Sequence, residues 1–124
     1  MLTRLAPMLA TENIPATIKF YVEVLGFECQ SQMPEAGWAS VRRENVSIMF
    51  SLPNKHTPFT TPLLTGSLYI TTDEVDVIWE QVKGRAEVCY PIDNFYYGMR
   101  EFAIYDNNHY LLQFGQAIGS NTQE

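Results

Sequence analysis

Residues 98–115, GMREFAIYDNNHYLLQFG, decide how this chain is read. Residues 100–105 and 110–114 read as two strands running in opposite directions. Between them Asp106-Asn107-Asn108-His109 reads as a tight turn, because Asp and Asn tolerate the positive φ of two-residue hairpin turns. Pairing Asp106 with His109 sets Ile104 against Leu111 and Phe102 against Gln113 on one face. Ala103 against Leu112 and Glu101 against Phe114 then occupy the other. A slip of one residue exchanges the two faces.

A hairpin of the same pattern lies earlier in the chain. Residues 38–42, WASVR, lead into Arg43-Glu44-Asn45-Val46 and return as SIMFS, residues 47–51. Pairing Arg43 with Val46 sets Val41 opposite Ile48, Ser40 opposite Met49, Ala39 opposite Phe50 and Trp38 opposite Ser51. Trp38 then matches Phe102, Met49 matches Gln113 and Phe50 matches Phe114, the sign of an internal duplication.

Working outward, residues 4–10 read as a strand. Ile14, Ile18, Tyr21, Val22 and Leu25 recur at helical spacing, with Asn13 or Thr11 as cap, Pro15 in the first turn and Gly26 as stop. Residues 27–32 read as the next strand, ahead of the first hairpin. In the second half, residues 66–72 read as a strand, 75–82 as a helix capped by Asp73 or Thr72, and 86–90 as a strand. Residues 91–98, PIDNFYYG, form an aromatic loop. Each half is therefore strand, helix, strand, strand, strand. The first module spans about 2–52, the linker 53–65, the second module about 66–116, and a polar tail 117–124. Two such halves, each with a helix on one side of its sheet, leave a cupped surface of the kind that ligands favour.

The chain has 124 residues, enough for a real core, with 46% hydrophobic and 18% charged residues. Its formal charge of −6 argues against nucleic acid or an anionic membrane as partner. That acidity mildly favours a cationic ligand, although acidity more often serves solubility alone. Cys29 and Cys89 fall in strand-like runs and read as buried free thiols, which suits a cytoplasmic protein. No apolar run approaches the roughly 20 residues of a membrane span.

The runs FYVEVLGFE (20–28), GSLYITTDEVD (66–76), GMREF (98–102) and DNNHYLLQFG (106–115) resemble the vicinal oxygen chelate superfamily, the glyoxalase / bleomycin resistance protein / dioxygenase group. Within it they are most similar to the bleomycin-resistance-like branch. The resemblance covers residues 2–117. It rests on the order and spacing of short motifs, none of them specific alone. It implies an α+β fold of two βαβββ modules forming a cupped mixed sheet, assembled as a homodimer around a ligand cleft.

Metal-using members of the group carry one ligand on the first and one on the last strand of each module. Carried onto this sequence, those positions are Ala6, Met49, Ser67 and Gln113. Only Gln113 offers a usable hard donor, whereas a catalytic metal normally has at least three protein ligands. No metal or other cofactor is expected. His109 reads as a solvated turn residue and His56 as a solvated loop residue. Asp73, Glu74 and Asp76 read as helix-start carboxylates.

The expected cleft residues are Trp38, Ser40, Met49 and Ser51 in the first module and Ser67, Tyr69, Phe102, Ile104, Leu111 and Gln113 in the second. A flat aromatic ligand could stack on Trp38 or Phe102, each stacked pair contributing roughly 0.5–1.5 kcal/mol beyond burial. Equally, Met49 could merely fill the space of a lost metal site. Phe95, Tyr96 and Tyr97 face either the ligand or a partner copy. Arg100 either meets a ligand anion or pairs with Glu101 or Glu35. The resulting expectation is a metal-free, antibiotic-type binding protein that sequesters a small, partly aromatic and cationic molecule. Its rivals are a glyoxalase- or dioxygenase-like lyase or oxidoreductase with an atypical metal site, and a regulatory module whose cleft its own side chains fill.

Overall fold

The computed structural model describes residues 1–54 and 61–118. Lys55, His56 and Thr57 of the expected linker, and residues 119–124 of the expected tail, lie outside the described residues. The chain divides into two compact units, Met1–Pro62 and Leu63–Glu124.

The first unit runs β1 (Met8–Ala10), α1 (Ile14–Lys19), a π-helical turn (Phe20–Val24), β2 (Glu28–Met33), a 3-10 turn (Pro34–Ala36), β3 (Trp38–Arg43) and β4 (Val46–Ser51). The second runs β5 (Leu68–Thr71), α2 (Val75–Val82), β6 (Glu87–Phe95), β7 (Met99–Tyr105) and β8 (Leu111–Ala117). The sheets have matching orders, β1-β4-β3-β2 and β5-β8-β7-β6. In each, the first strand is parallel to the last and the other pairs are antiparallel. Each unit is thus a βαβββ module, as the sequence pattern predicts.

Local chemistry accounts for the helix ends. The Ala16 amide donates to the Asn13 side chain at 3.0 Å, the expected cap. The helix then widens, with the Leu25 amide donating to the Phe20 carbonyl at 3.4 Å. It stops at Gly26, whose φ of +74° suits a residue without Cβ. The start of α2 is less local. Its Val75 amide donates to Gln116 of β8 at 3.0 Å, while Thr72 accepts from the Glu74 amide at 3.1 Å.

One face of each sheet packs on its helix. Tyr21 contacts the rings of Phe50 and Phe27 at 4.9 and 5.6 Å. In the second unit Trp79 lies 5.1 Å from Phe102, which stacks on Phe114. Ile104 and Leu112 fill the same buried layer, beneath Val75, Ile78 and Val82. Fully burying each such side chain contributes roughly 1.5–3 kcal/mol.

The first hairpin has the predicted register throughout, from Arg43 opposite Val46 to Trp38 opposite Ser51. The second differs by one residue. Tyr105 faces Leu111, Ile104 faces Leu112, Ala103 faces Gln113, Phe102 faces Phe114 and Glu101 faces Gly115. The cause is a three-residue turn. The Asp106 amide donates to the Tyr110 carbonyl at 3.0 Å, leaving Asn107, Asn108 and His109 between them. The Asp106 carboxylate accepts from the amides of Asn108 at 2.8 Å and Tyr110 at 2.9 Å. His109 takes the left-handed position, φ +69°, that completes such a loop. Phe102 and Ile104 consequently belong to the helix-covered face, and Glu101 moves to the open one. The module correspondence shifts with it, so that Trp38 matches Glu101 rather than Phe102.

Three further expectations change. The first strand is only Met8–Ala10, and β6 continues through most of the expected aromatic loop to Phe95. Pro91 is tolerated there because β6 is the edge strand of its sheet, with no ladder partner on its outer side among the described residues. Cys89 is exposed rather than buried, and accepts a 3.4 Å hydrogen bond from the Tyr105 hydroxyl. Among the described residues no helix is long and apolar enough to cross a membrane.

Candidate functional site

The helix-free face of the second sheet presents two neighbouring rows of side chains. One row runs Tyr69, Gln113, Ala103, Tyr90 across β5, β8, β7 and β6. The next runs Thr71, Gly115, Glu101, Asp93. The two small residues make room for the large ones. A Cβ on Gly115 would lie 2.1 Å from the Tyr69 hydroxyl oxygen, so the tyrosine leans across this glycine. It thereby reaches Glu101, donating to Oε1 at 2.7 Å. Tyr90 donates to the other oxygen, Oε2. Tyr97, in the turn after β6, also helps to keep this carboxylate ionised.

The network extends to the residues expected from the family pattern. Gln113 Nε2 donates to the Tyr90 hydroxyl at 2.9 Å, and Ser67 donates to Gln113 Oε1 at 2.5 Å. The hydrogen bonds run Ser67 to Gln113 to Tyr90 to Glu101, with Tyr69 closing from the other side.

Glu101 is 1% exposed. Burial acts to raise its carboxyl, but the hydrogen bonds from Tyr90, Tyr69 and Tyr97 outweigh it and hold the group below the usual carboxylate range. The tyrosines shift the other way. Tyr90 is pushed up to about 12 by burial and then by its bond to Glu101. Burial and the same carboxylate also raise Tyr69 and Tyr97. At neutral pH the cluster is one carboxylate with neutral phenols turned towards it. None of the tyrosines is thereby activated as a base.

The expected aromatic run contributes unequally. Phe95 packs edge-on to Tyr90 at 5.6 Å, and Tyr97 stacks on Phe95 at 5.7 Å. Tyr96 is almost wholly exposed, touching Tyr97 edge-on. Arg100 pairs with neither Glu101 nor Glu35. Its guanidinium binds Asp76 of α2 at 2.9 Å and Asn94 at 3.0 Å, which lowers Asp76 and raises Arg100. Phe102 is buried in the helix-covered layer and cannot offer its ring to a ligand on the open face.

In the first unit the corresponding rows are Met8, Met49, Ser40, Ser31 and Ala10, Ser51, Trp38, Met33. Trp38 and Met49 thus occupy the helix-free face as expected, both half-buried. Ala6 precedes β1, where the Pro7 carbonyl accepts from the Met49 amide at 2.9 Å.

The metal that the family positions would hold does not fit these donors. Ala6 has none, Met49 offers a soft thioether, and Ser67 and Gln113 are neutral and bonded to each other. Among the described residues no three His, Cys, Asp or Glu side chains come together to hold an ion. Sequence reasoning missed Glu101, Tyr90 and Gly115. The available signal was a lone carboxylate between Arg100 and the run Phe102-Ala103-Ile104, readable only with the turn length in hand.

The family model for the glyoxalase/bleomycin resistance protein/dioxygenase superfamily matches residues 4–114. No curated protein sequence matches the chain. Among solved structures the fold is similar to TioX from Micromonospora sp. ML1, with TM-score 0.77 and 17% identity over 94% of this chain and 99% of that one. A glyoxalase/bleomycin resistance protein/dioxygenase from Nocardioides gives TM-score 0.74 and 16% identity over 100% and 91% of the two chains. Lactoylglutathione lyase from Agrobacterium tumefaciens gives TM-score 0.70 and 16% identity over 92% of each. At these identities the structural likenesses speak to the fold alone, and the family match extends over nearly the whole sequence: the chain belongs to the glyoxalase/bleomycin resistance protein/dioxygenase superfamily.

Proposed function

We propose that this protein is a metal-free, antibiotic-type binding protein of the bleomycin-resistance kind. It acts as a cytoplasmic homodimer that sequesters a small aromatic molecule without transforming it. The observation that carries this reading is the closure of Ser67 on Gln113 and of Gln113 on Tyr90. These side chains satisfy one another instead of converging on an ion. The phenols of Tyr69 and Tyr90 are held neutral and the Glu101 carboxylate is fully engaged, which equips the face for recognition rather than proton transfer. Ligand contact is assigned to Trp38 and Met49 in the first unit and to Tyr69, Phe95, Tyr97 and Gln113 in the second.

The test is a thermal-shift screen of the chelator-treated protein against bleomycin-type glycopeptides, other aromatic antibiotics and small thiol adducts. A ligand at about 100 times its Kd adds roughly 2.7 kcal/mol to apparent stability. A shift that survives chelation, with the ligand recovered unchanged, supports sequestration. Turnover that is lost on chelation supports the lyase or oxidoreductase reading instead. No shift with any compound supports a module whose cleft is filled by its own side chains.

A further inference from the structure

Among the described residues Glu101 is a buried anion without a cation beside it. Among the described residues the ion pairs are Arg43–Glu44, Lys83–Glu80, Arg100–Asp76 and His109–Glu87, and none reaches it. The adjacent Arg100 is committed to Asp76 and Asn94. Burying a charge costs heavily unless it is compensated, and here phenol hydroxyls compensate it. Those hydroxyls spend their protons on the carboxylate. Their oxygens keep lone pairs, so towards a ligand Tyr69, whose proton goes to Glu101 Oε1, acts as an acceptor. Tyr69 is 43% exposed and Tyr97 51%, leaving ring surface open as well. The charge opposite Glu101 in the pairing of β6 and β7 is a second carboxylate, the exposed Asp93.

We propose that the helix-free face of the second unit carries a subsite for the protonated amine of a ligand, built from the hydroxyl oxygen and ring face of Tyr69 and the ring face of Tyr97 near the Glu101 carboxylate. The site supplies the three things an ammonium group seeks: an acceptor for its N–H bonds, π faces, and a nearby negative charge screened from water. Gly115 is its positioning residue, since only the missing Cβ lets Tyr69 lean across to Glu101. This inference deepens the proposed function and rests on reading the open face as the ligand face.

The test compares 2-phenylethylammonium with neutral 2-phenylethanol by NMR titration of the full chain at neutral pH. The amine is expected to bind at least about tenfold more tightly than the alcohol, and Glu101→Gln should abolish that preference. Tyr69→Phe, which keeps the ring, and Gly115→Ala, which displaces it, should each reduce the preference severalfold. They also carry the test if the Glu101 variant fails to fold. Equal affinity for the two probes, no binding of the amine, or a preference that survives the substitutions overturns the inference. An aromatic antibiotic that shifts wild type and Glu101→Gln equally leaves the sequestration reading standing and removes only the amine subsite.

Discussion

The two sheets share a strand order and a register pattern, yet their open faces are chemically opposed. Where the first carries Met8, Met49, Ser40 and Ser31, the second carries Tyr69, Gln113, Ala103 and Tyr90. Where the first has Ser51 beside Trp38, the second has Gly115 beside Glu101. Apart from the small neutral Ser40, the first face has no buried polar side chain, and its soft apolar groups suit ring stacking. The second buries a carboxylate and spends its phenols on holding it. Duplicated backbones thus fix where side chains stand without fixing their chemistry. The helix-covered faces diverge far less, because both must fill a core.

That contrast can be broken most severely at the core. Phe102→Ala should cost about 3–5 kcal/mol, read from urea unfolding, because Phe102 lies between Trp79 and Phe114 in the covered layer. A near-silent substitution would return Phe102 to the open face and restore the register with a two-residue turn.

The chemistry of the open faces predicts unlike responses to pH. Glu101 has a lowered folded value, so its contribution is present above the unfolded value of about 4.3 and is lost as pH falls through the folded one. The hydroxyls of Tyr69 and Tyr90 bond to it, Tyr97 also acts to lower it, and Asp93 lies opposite. Glu101→Gln should therefore flatten the acid limb of the stability curve, whereas Trp38→Phe should leave it unchanged. At the alkaline end the sign reverses. The contribution of Tyr90 is intact below about 10 and is lost as pH rises towards its folded value of about 12. Absorbance titration of Tyr90→Phe should lack one late-ionising phenol.

Gly115→Ala and Ser51→Ala occupy matching positions and should differ in kind. The first puts a methyl group into the space of the Tyr69 ring and should shift that ring's NMR resonances. The second should leave its own sheet undisturbed. The smallest contrast lies in the turns. Glu44 and His109 both hold left-handed φ, +51° and +69°. Glu44→Gly should stabilise by up to about 1 kcal/mol in thermal unfolding, relieving a strained L residue. His109→Gly should gain less, because the imidazole stacks on Tyr105 at 4.0 Å.

Those turns also explain how far the sequence could be read. Strand and helix periodicity defines both modules, and the Arg43–Val46 turn has the length that its flanking residues imply. Asp106-Asn107-Asn108-His109 admits two lengths. The deciding interactions are backbone amides closing on the Asp106 carboxylate and a histidine in a position that usually favours glycine, neither of which periodicity records. One residue of turn length exchanged the faces of β7 against β8, concealing Glu101 and promoting Phe102 in the same stroke. The Gln116 contact at the start of α2 was hidden for a related reason: it joins residues far apart in sequence. Gln113, Ser67, Trp38 and Met49 were legible because β4 keeps its predicted register and the last-strand positions sit beside the first strand of each sheet.

The account depends on a ligand face built from donors that satisfy one another and do not hold an ion. Its most direct test is calorimetric titration of chelator-dialysed protein with Zn²⁺, Ni²⁺ and Mn²⁺. The predicted result is no stoichiometric uptake and no change in the melting temperature. Tight uptake of one ion per chain, abolished by Gln113→Ala, would contradict it.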